Sequence, residues 1–183
     1  MAMPGDGSEL ETLLENARAR GLAAGLVTTT YITHATPAAF GAHEPNRNNY
    51  AEIAADYLNQ TRPDVILGGG ANGMTVADTE AAGYTVVTDR AGLQAVNTAA
   101  VSRLSGQFGS SHLPYEYDGL GDLPHLSEMV TVAVDVLDND PDGFFLMIEG
   151  GLIDQACHAN DPNRLVGEVG EFDNAFDDVW SWA

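Results

Sequence analysis

Gly143-Phe-Phe-Leu-Met-Ile-Glu-Gly-Gly-Leu-Ile-Asp-Gln-Ala-Cys-His158 runs an apolar stretch into a carboxylate, two glycines, a second carboxylate and a histidine. An apolar run such as Phe144–Ile148 suits a strand buried on both faces of a parallel sheet, and the carboxyl ends of such strands are where open α/β sheets place their ligands. Glu149 stands at that end. Gly150 and Gly151 permit a sharp turn, after which Asp154 and His158, four apart, share one face of a helical turn and can chelate one ion. Each residue alone also has an ordinary reading: Glu149 as a strand end in water, Asp154 as a helix N-cap, His158 as a surface histidine. Grouped at one strand tip, they point instead to a metal or acid–base site.

The pattern upstream is an alternation of strands and helices. Ser8 and Glu11 have capping-box spacing before Leu10, Leu13, Leu14 and Ala17, a helix ending near Gly21. A β-branched strand over 24–31 follows, then a helix over 49–58 and a strand over 64–67 that ends at Gly68-Gly69-Gly70. A short helix over 79–82, a strand over 84–88, a helix over 91–96 capped by Asp89 and a strand over 102–108 come next. Residues 109–125 carry Gly, Pro, Tyr and Asp without periodicity and read as a long loop. Met129, Val130, Ala133, Val134 and Leu137 mark a helix over 126–137, and Phe172, Phe176, Val179 and Trp180 give the final helix, 164–182, an apolar side. Four or five strands alternating with helices predict an α/β fold with a doubly wound, mainly parallel sheet.

With 183 residues, 44% of them hydrophobic, the chain can bury a core and is most simply a single domain. Its 27 acidic residues face seven basic ones, all arginine, for a net charge of −20. Such a field repels nucleic acid and anionic membranes and excludes both as natural partners. An acidic surface without lysine fits a high-salt environment, where screening suppresses self-repulsion. One cysteine, Cys157, allows no internal disulfide. No basic, then apolar, signal-peptide pattern appears near the N-terminus, and Met1–Gly7 reads as a loose leader. The compartment stays undetermined.

A second cluster follows the first strand: Ile32-Thr33-His34-Ala35-Thr36-Pro37, then Arg47. His34 and Thr36 can converge with Glu149 on one ion, and the planar fork of Arg47 can grip a phosphate or carboxylate in two-pronged fashion. The plainer alternative is a Thr-Pro helix start beside an exposed arginine. Gly68-Gly69-Gly70 lacks the Lys-Ser/Thr of a P-loop and the Rossmann spacing, so close backbone packing is expected there. His43, His112 and His125 read as loop histidines.

Val27-Thr-Thr-Thr-Tyr-Ile-Thr-His-Ala-Thr-Pro-Ala-Ala-Phe40 and Met147-Ile-Glu-Gly-Gly-Leu-Ile-Asp154, with His158, closely resemble the alkaline phosphatases. Val65-Ile-Leu-Gly-Gly-Gly70 and His112-Leu-Pro-Tyr115 are similar to the intervening sequence of that family. The resemblance spans nearly the whole chain, in order. It implies Thr36 and Glu149 as magnesium ligands, Asp154 and His158 as two ligands of one catalytic zinc, Arg47 as the grip on the substrate phosphate, and His34 as a residue just behind the metals. Family enzymes pass through a phosphoserine intermediate with two zinc ions stabilising the attacking and leaving oxygens.

The chain also departs from that family. The family's serine lies in an Asp-Ser-Ala motif ahead of the matched segment, and no Asp-Ser pair occurs here. An early metal-binding aspartate, a later Asp-His pair and a last histidine have no counterparts either. The expectation is therefore a truncated domain of the phosphomonoesterase type, weak or inactive alone. The alternative is a self-associating or divalent-metal-binding remnant. Sheet edges left uncovered predict a homo-oligomer, formed at a sheet edge or through the apolar side of the final helix.

Overall fold

The opening Ser/Thr-x-x-Glu spacing occurs twice in succession, and the second copy makes the helix. In the computed structural model, which describes residues 2, 3 and 6–183, α1 (Leu13–Ala19) starts at Thr12; its hydroxyl takes the Glu15 N–H while Glu15 takes the Thr12 N–H. That corrects the cap expected at Ser8 and Glu11: the helix from Thr12 buries Leu14 and Ala17, while Leu10 and Leu13 stay in solvent. Met1, Pro4 and Gly5 of the expected leader lie outside the described residues.

The chain then alternates: β1 (Ala23–Tyr31), α2 (Ala35–Gly41), α3 (Tyr50–Asp56) with a wider π turn through Thr61, β2 (Val65–Gly69), α4 (Val76–Ala81), β3 (Thr85–Val87), α5 (Arg90–Gln94), β4 (Leu104–Phe108), α6 (Leu126–Leu137), β5 (Phe144–Glu149), α7 (Leu152–His158) and α8 (Pro162–Trp182). All pairings are parallel, in the order β3-β4-β2-β1-β5. The doubly wound parallel reading holds. Side chains alternate across the strands: Val27, Val65 and Leu67 pack beneath α5 and α6, while Leu26 and Ile66 pack with Leu14, Ile53 and Tyr57 from α1 and α3. Asp89 caps α5 as expected, through the Gly92 N–H, and Thr75 starts α4 earlier than the sequence indicated.

One expectation about the sheet is corrected. β5 is not buried on both faces: it is an edge strand, and of its residues only Met147 is fully buried. An unbroken apolar run does not reveal which strand lies outermost. In α8 the stripe of Phe172, Phe176 and Trp180 faces solvent, at 38%, 57% and 72% exposure, while Glu168, Glu171 and Ala175 are the buried positions. No described helix is long and apolar enough to cross a membrane.

Glycines after β2 serve close packing, as expected: a Cβ on Gly69 would collide with the Ser111 carbonyl, and one on Gly70 would come 2.6 Å from the Gly109 oxygen. These contacts bring the loop after β4 over the carboxyl end of β2, next to β1.

Candidate metal and phosphate site

β1 is flanked by β2 on one side and β5 on the other. It leads to β2 through α2 and α3 on one face, whereas β5 is reached from β4 through α6 on the opposite face. The carboxyl ends of β1 and β5 thus border the point where the strand order reverses, the usual ligand crevice of such sheets. Thr28 and Glu149 are register partners across that pair. The segments bearing Thr36 and Arg47 and those bearing Glu149, Asp154 and His158 therefore emerge at one rim.

Three consecutive threonines organise the rim. The register of β1 against β2 slips between Val27 and Tyr31, beside this run. Thr28 donates to Glu149 Oε2 at 2.6 Å and takes the Thr30 N–H at 3.0 Å, with Thr30 Oγ1 3.4 Å from the same carboxylate oxygen. Thr29, pointing the other way, takes the Leu152 N–H at 3.1 Å and fastens the first residue of α7. One carboxylate oxygen of Glu149 is thereby held by hydroxyls and the other is left for a ligand. A Cβ at Gly151 would collide with the Thr30 methyl and come 3.0 Å from the Glu149 carboxyl carbon, which is why glycine follows there.

On α7, Asp154 and His158 share one exposed face, with Oδ1 and Nε2 3.5 Å apart. Two ligands on a tetrahedral zinc at ordinary bond lengths sit about 3.4 Å apart. Donor type and spacing fit such an ion, and the free oxygen of Glu149 fits a hard cation such as magnesium.

Arg47 lies in the loop between α2 and α3, and its Nη2 is 3.0 Å from His34 Nε2. Arginine can only donate, so His34 accepts at Nε2 and carries its proton on Nδ1. Burial holds this imidazole below its ordinary value against the pull of Glu149, and Arg47 and His112 reinforce burial. His34 is therefore a neutral partner. Thr36 lies in the first turn of α2 and makes no side-chain hydrogen bond among the described residues.

His112, assigned nothing from sequence, belongs to this rim. Its ring packs 4.8 Å from Tyr31 and 5.5 Å from His34, and Tyr31 also meets Tyr50 edge-on at 5.4 Å. Burial lowers the His112 pKa, and burial together with the Tyr50 hydroxyl raises that of Tyr31 to about 12. Nδ1 of both His34 and His112 is buried without a partner among the described residues. Sequence missed Thr28, Thr30, Tyr31, Tyr50 and His112. A run of three hydroxyls at a strand's carboxyl end was the available signal.

The family profile described as Alkaline phosphatase matches residues 1–183. Alkaline phosphatase 3 of Bacillus subtilis is 39% identical over 187 residues, covering 96% of this chain and 40% of that protein. The crystal structure of Thermus thermophilus alkaline phosphatase superposes with a TM-score of 0.91 at 37% identity, covering all of this chain and 40% of that one. A TAB5 alkaline phosphatase mutant with Mg bound in the M3 site gives 0.87 at 29% identity, over 100% and 54% of the two chains. The chain thus spans about half or less of the length of these relatives. With the profile running from its first residue to its last, this chain belongs to the alkaline phosphatase family.

Proposed function

We propose that this chain is a metal-dependent phosphomonoesterase domain in which Arg47 grips the substrate phosphate, Thr36 and Glu149 hold magnesium, and Asp154 and His158 hold zinc. His34 carries this reading: it is hydrogen-bonded to Arg47 and feels the charge of Glu149, so it links the guanidinium to the crevice where Thr28 holds that carboxylate. When bound, the metals would stabilise charge on the attacking and leaving oxygens. The residues of the chain do the rest: the Arg47 fork orients the phosphate, and the threonine hydroxyls fix Glu149.

The 183 residues contain no Asp-Ser pair to supply the family's nucleophile, so this polypeptide alone should hydrolyse phosphate esters weakly or not at all. A chromogenic phosphate ester, assayed in molar salt with zinc and magnesium, tests this. Turnover no higher than that of Glu149→Ala is expected; robust turnover abolished by Glu149→Ala refutes the inactivity. Calorimetry tests the ligand roles separately: Glu149→Ala should lose magnesium binding, and unchanged binding sinks the site.

A second reading is favoured by the solvent-facing Phe172, Phe176 and Trp180 and by the half-covered edge strand β5: the chain self-associates through these apolar surfaces. Sedimentation in molar salt showing only monomer counts against it. The lysine-free acidic surface supports a high-salt setting in either case.

A further inference from the structure

We propose that the chain builds a separate zinc-type site from Glu116, His125 and Glu171. Glu116 opens a short 3-10 turn (Glu116–Asp118), His125 is the N-cap residue of α6, and Glu171 comes from the buried side of α8. One ligand atom from each lies within 4.8 Å of the others, and His125 Nδ1 is 2.8 Å from Glu116 Oε2. An imidazole nitrogen with two carboxylates is a donor set that zinc takes. The 2.8 Å pair needs to open by only about 0.6 Å to reach tetrahedral ligand spacing. None of these residues belongs to the rim at β1 and β5.

A second observation points to a cation at this place. Glu168, 3% exposed, stands beside the three; its Oε1 takes the Glu116 N–H at 2.9 Å, and its other oxygen has no donor among the described residues. Arg90 is bonded to Glu128, and no described arginine forms an ion pair with Glu116, Glu168 or Glu171. Buried carboxylates are normally paired or bound to metal. A divalent ion held by Glu116, His125 and Glu171 supplies the missing charge and pins the turn to α6 and α8, steadying the loop that carries His112 to the rim.

The test uses the full chain, stripped by chelator and dialysed against zinc in molar NaCl, on a background of Glu149→Gln, Asp154→Ala and His158→Ala that disables the rim. This background should bind a single zinc and gain thermal stability from it; adding His125→Ala should abolish both. Glu116→Gln, which retains a hydrogen-bonding partner for His125, is the second probe, should His125→Ala fail to fold by circular dichroism. No zinc retained by the rim-disabled chain, or equal zinc bound after removal of His125 or of the Glu116 charge, overturns the proposal.

Discussion

Replacing Thr28 by valine isolates what the hydroxyl run does for Glu149. Thr28 is 1% exposed, and valine preserves its β-branched shape in the strand. The change removes a 2.6 Å bond to a carboxylate, worth about 1.5–3 kcal/mol, and strips the Thr30 N–H of its acceptor, at about 1–3 kcal/mol. Two effects soften the sum: Glu149 is only half-buried, so water recovers part of its solvation, and Thr30 Oγ1, 3.4 Å away, can swing in. A net loss of about 2–3 kcal/mol is expected by urea unfolding in molar NaCl, with the m-value unchanged. If Glu149 is a magnesium ligand, freeing its held oxygen should also weaken magnesium roughly 10–100-fold, as for other outer partners of metal ligands. Thr28→Ser should restore most of both. Stability within about 0.5 kcal/mol of the parent, together with undiminished magnesium affinity, refutes the role given to the threonines.

Gly69→Ala should leave little folded protein, because the added methyl meets the Ser111 carbonyl, a backbone atom that cannot step aside; a far-UV spectrum and melting curve like the parent's would contradict that packing. Burial opposes charge on His43, but its 2.8 Å contact with Glu15 overrides burial and raises the imidazole above its ordinary 6.5. Folding therefore favours the protonated form, and the pair's stabilisation is full below 6.5 and lost as pH rises through the elevated value. His43→Ala should flatten this part of the stability–pH curve, and parallel curves for the two proteins would exclude the linkage. The net charge of −20 predicts a melting temperature that climbs from 0.1 M to molar NaCl as the Debye length contracts from about 10 Å to about 3 Å; a flat or falling trend removes the case for a high-salt setting.

The sheet and its crevice were legible because period and punctuation agreed: α6 matched its apolar pattern over Leu126–Leu137, and β5 ends at Glu149, the residue that breaks its apolar run. Pairing order was not legible. Nothing local in Phe144–Glu149 distinguishes a central strand from an edge, since that depends on which distant segment lies alongside. In α8 the sequence showed an apolar side but not which side packs on the sheet. Its buried positions Glu168 and Glu171 are carboxylates that receive the backbone N–H groups of Glu116 and Ser127, so hydrogen-bonding demand from neighbouring elements decides which side packs. His112 was invisible for a third reason: it reaches the rim only because Gly69 and Gly70 let its loop press against β2.

A phosphate site in so acidic a chain needs a cation whose field is not already cancelled. Arg18, Arg90 and Arg164 are each bound to a carboxylate, from Asp64, Glu128 and Asp118, at 2.6–2.8 Å. Arg47 is bound instead to His34, whose burial keeps it neutral. The imidazole fixes the guanidinium by one hydrogen bond while leaving its positive charge uncompensated, and the remaining donors of the fork point the way a two-pronged phosphate contact requires only if that orientation is held. An aspartate in the place of His34 would hold Arg47 more strongly and neutralise it, so the histidine trades bond strength for charge at the rim. Long-range repulsion from the rest of the surface falls within about a Debye length in salt, whereas a bidentate contact at hydrogen-bond distance is screened far less. Under the proposed phosphate role and a high-salt setting, screening and a neutral partner for Arg47 would act on the same problem at two length scales: the first lets an anion approach, and the second gives it something to bind.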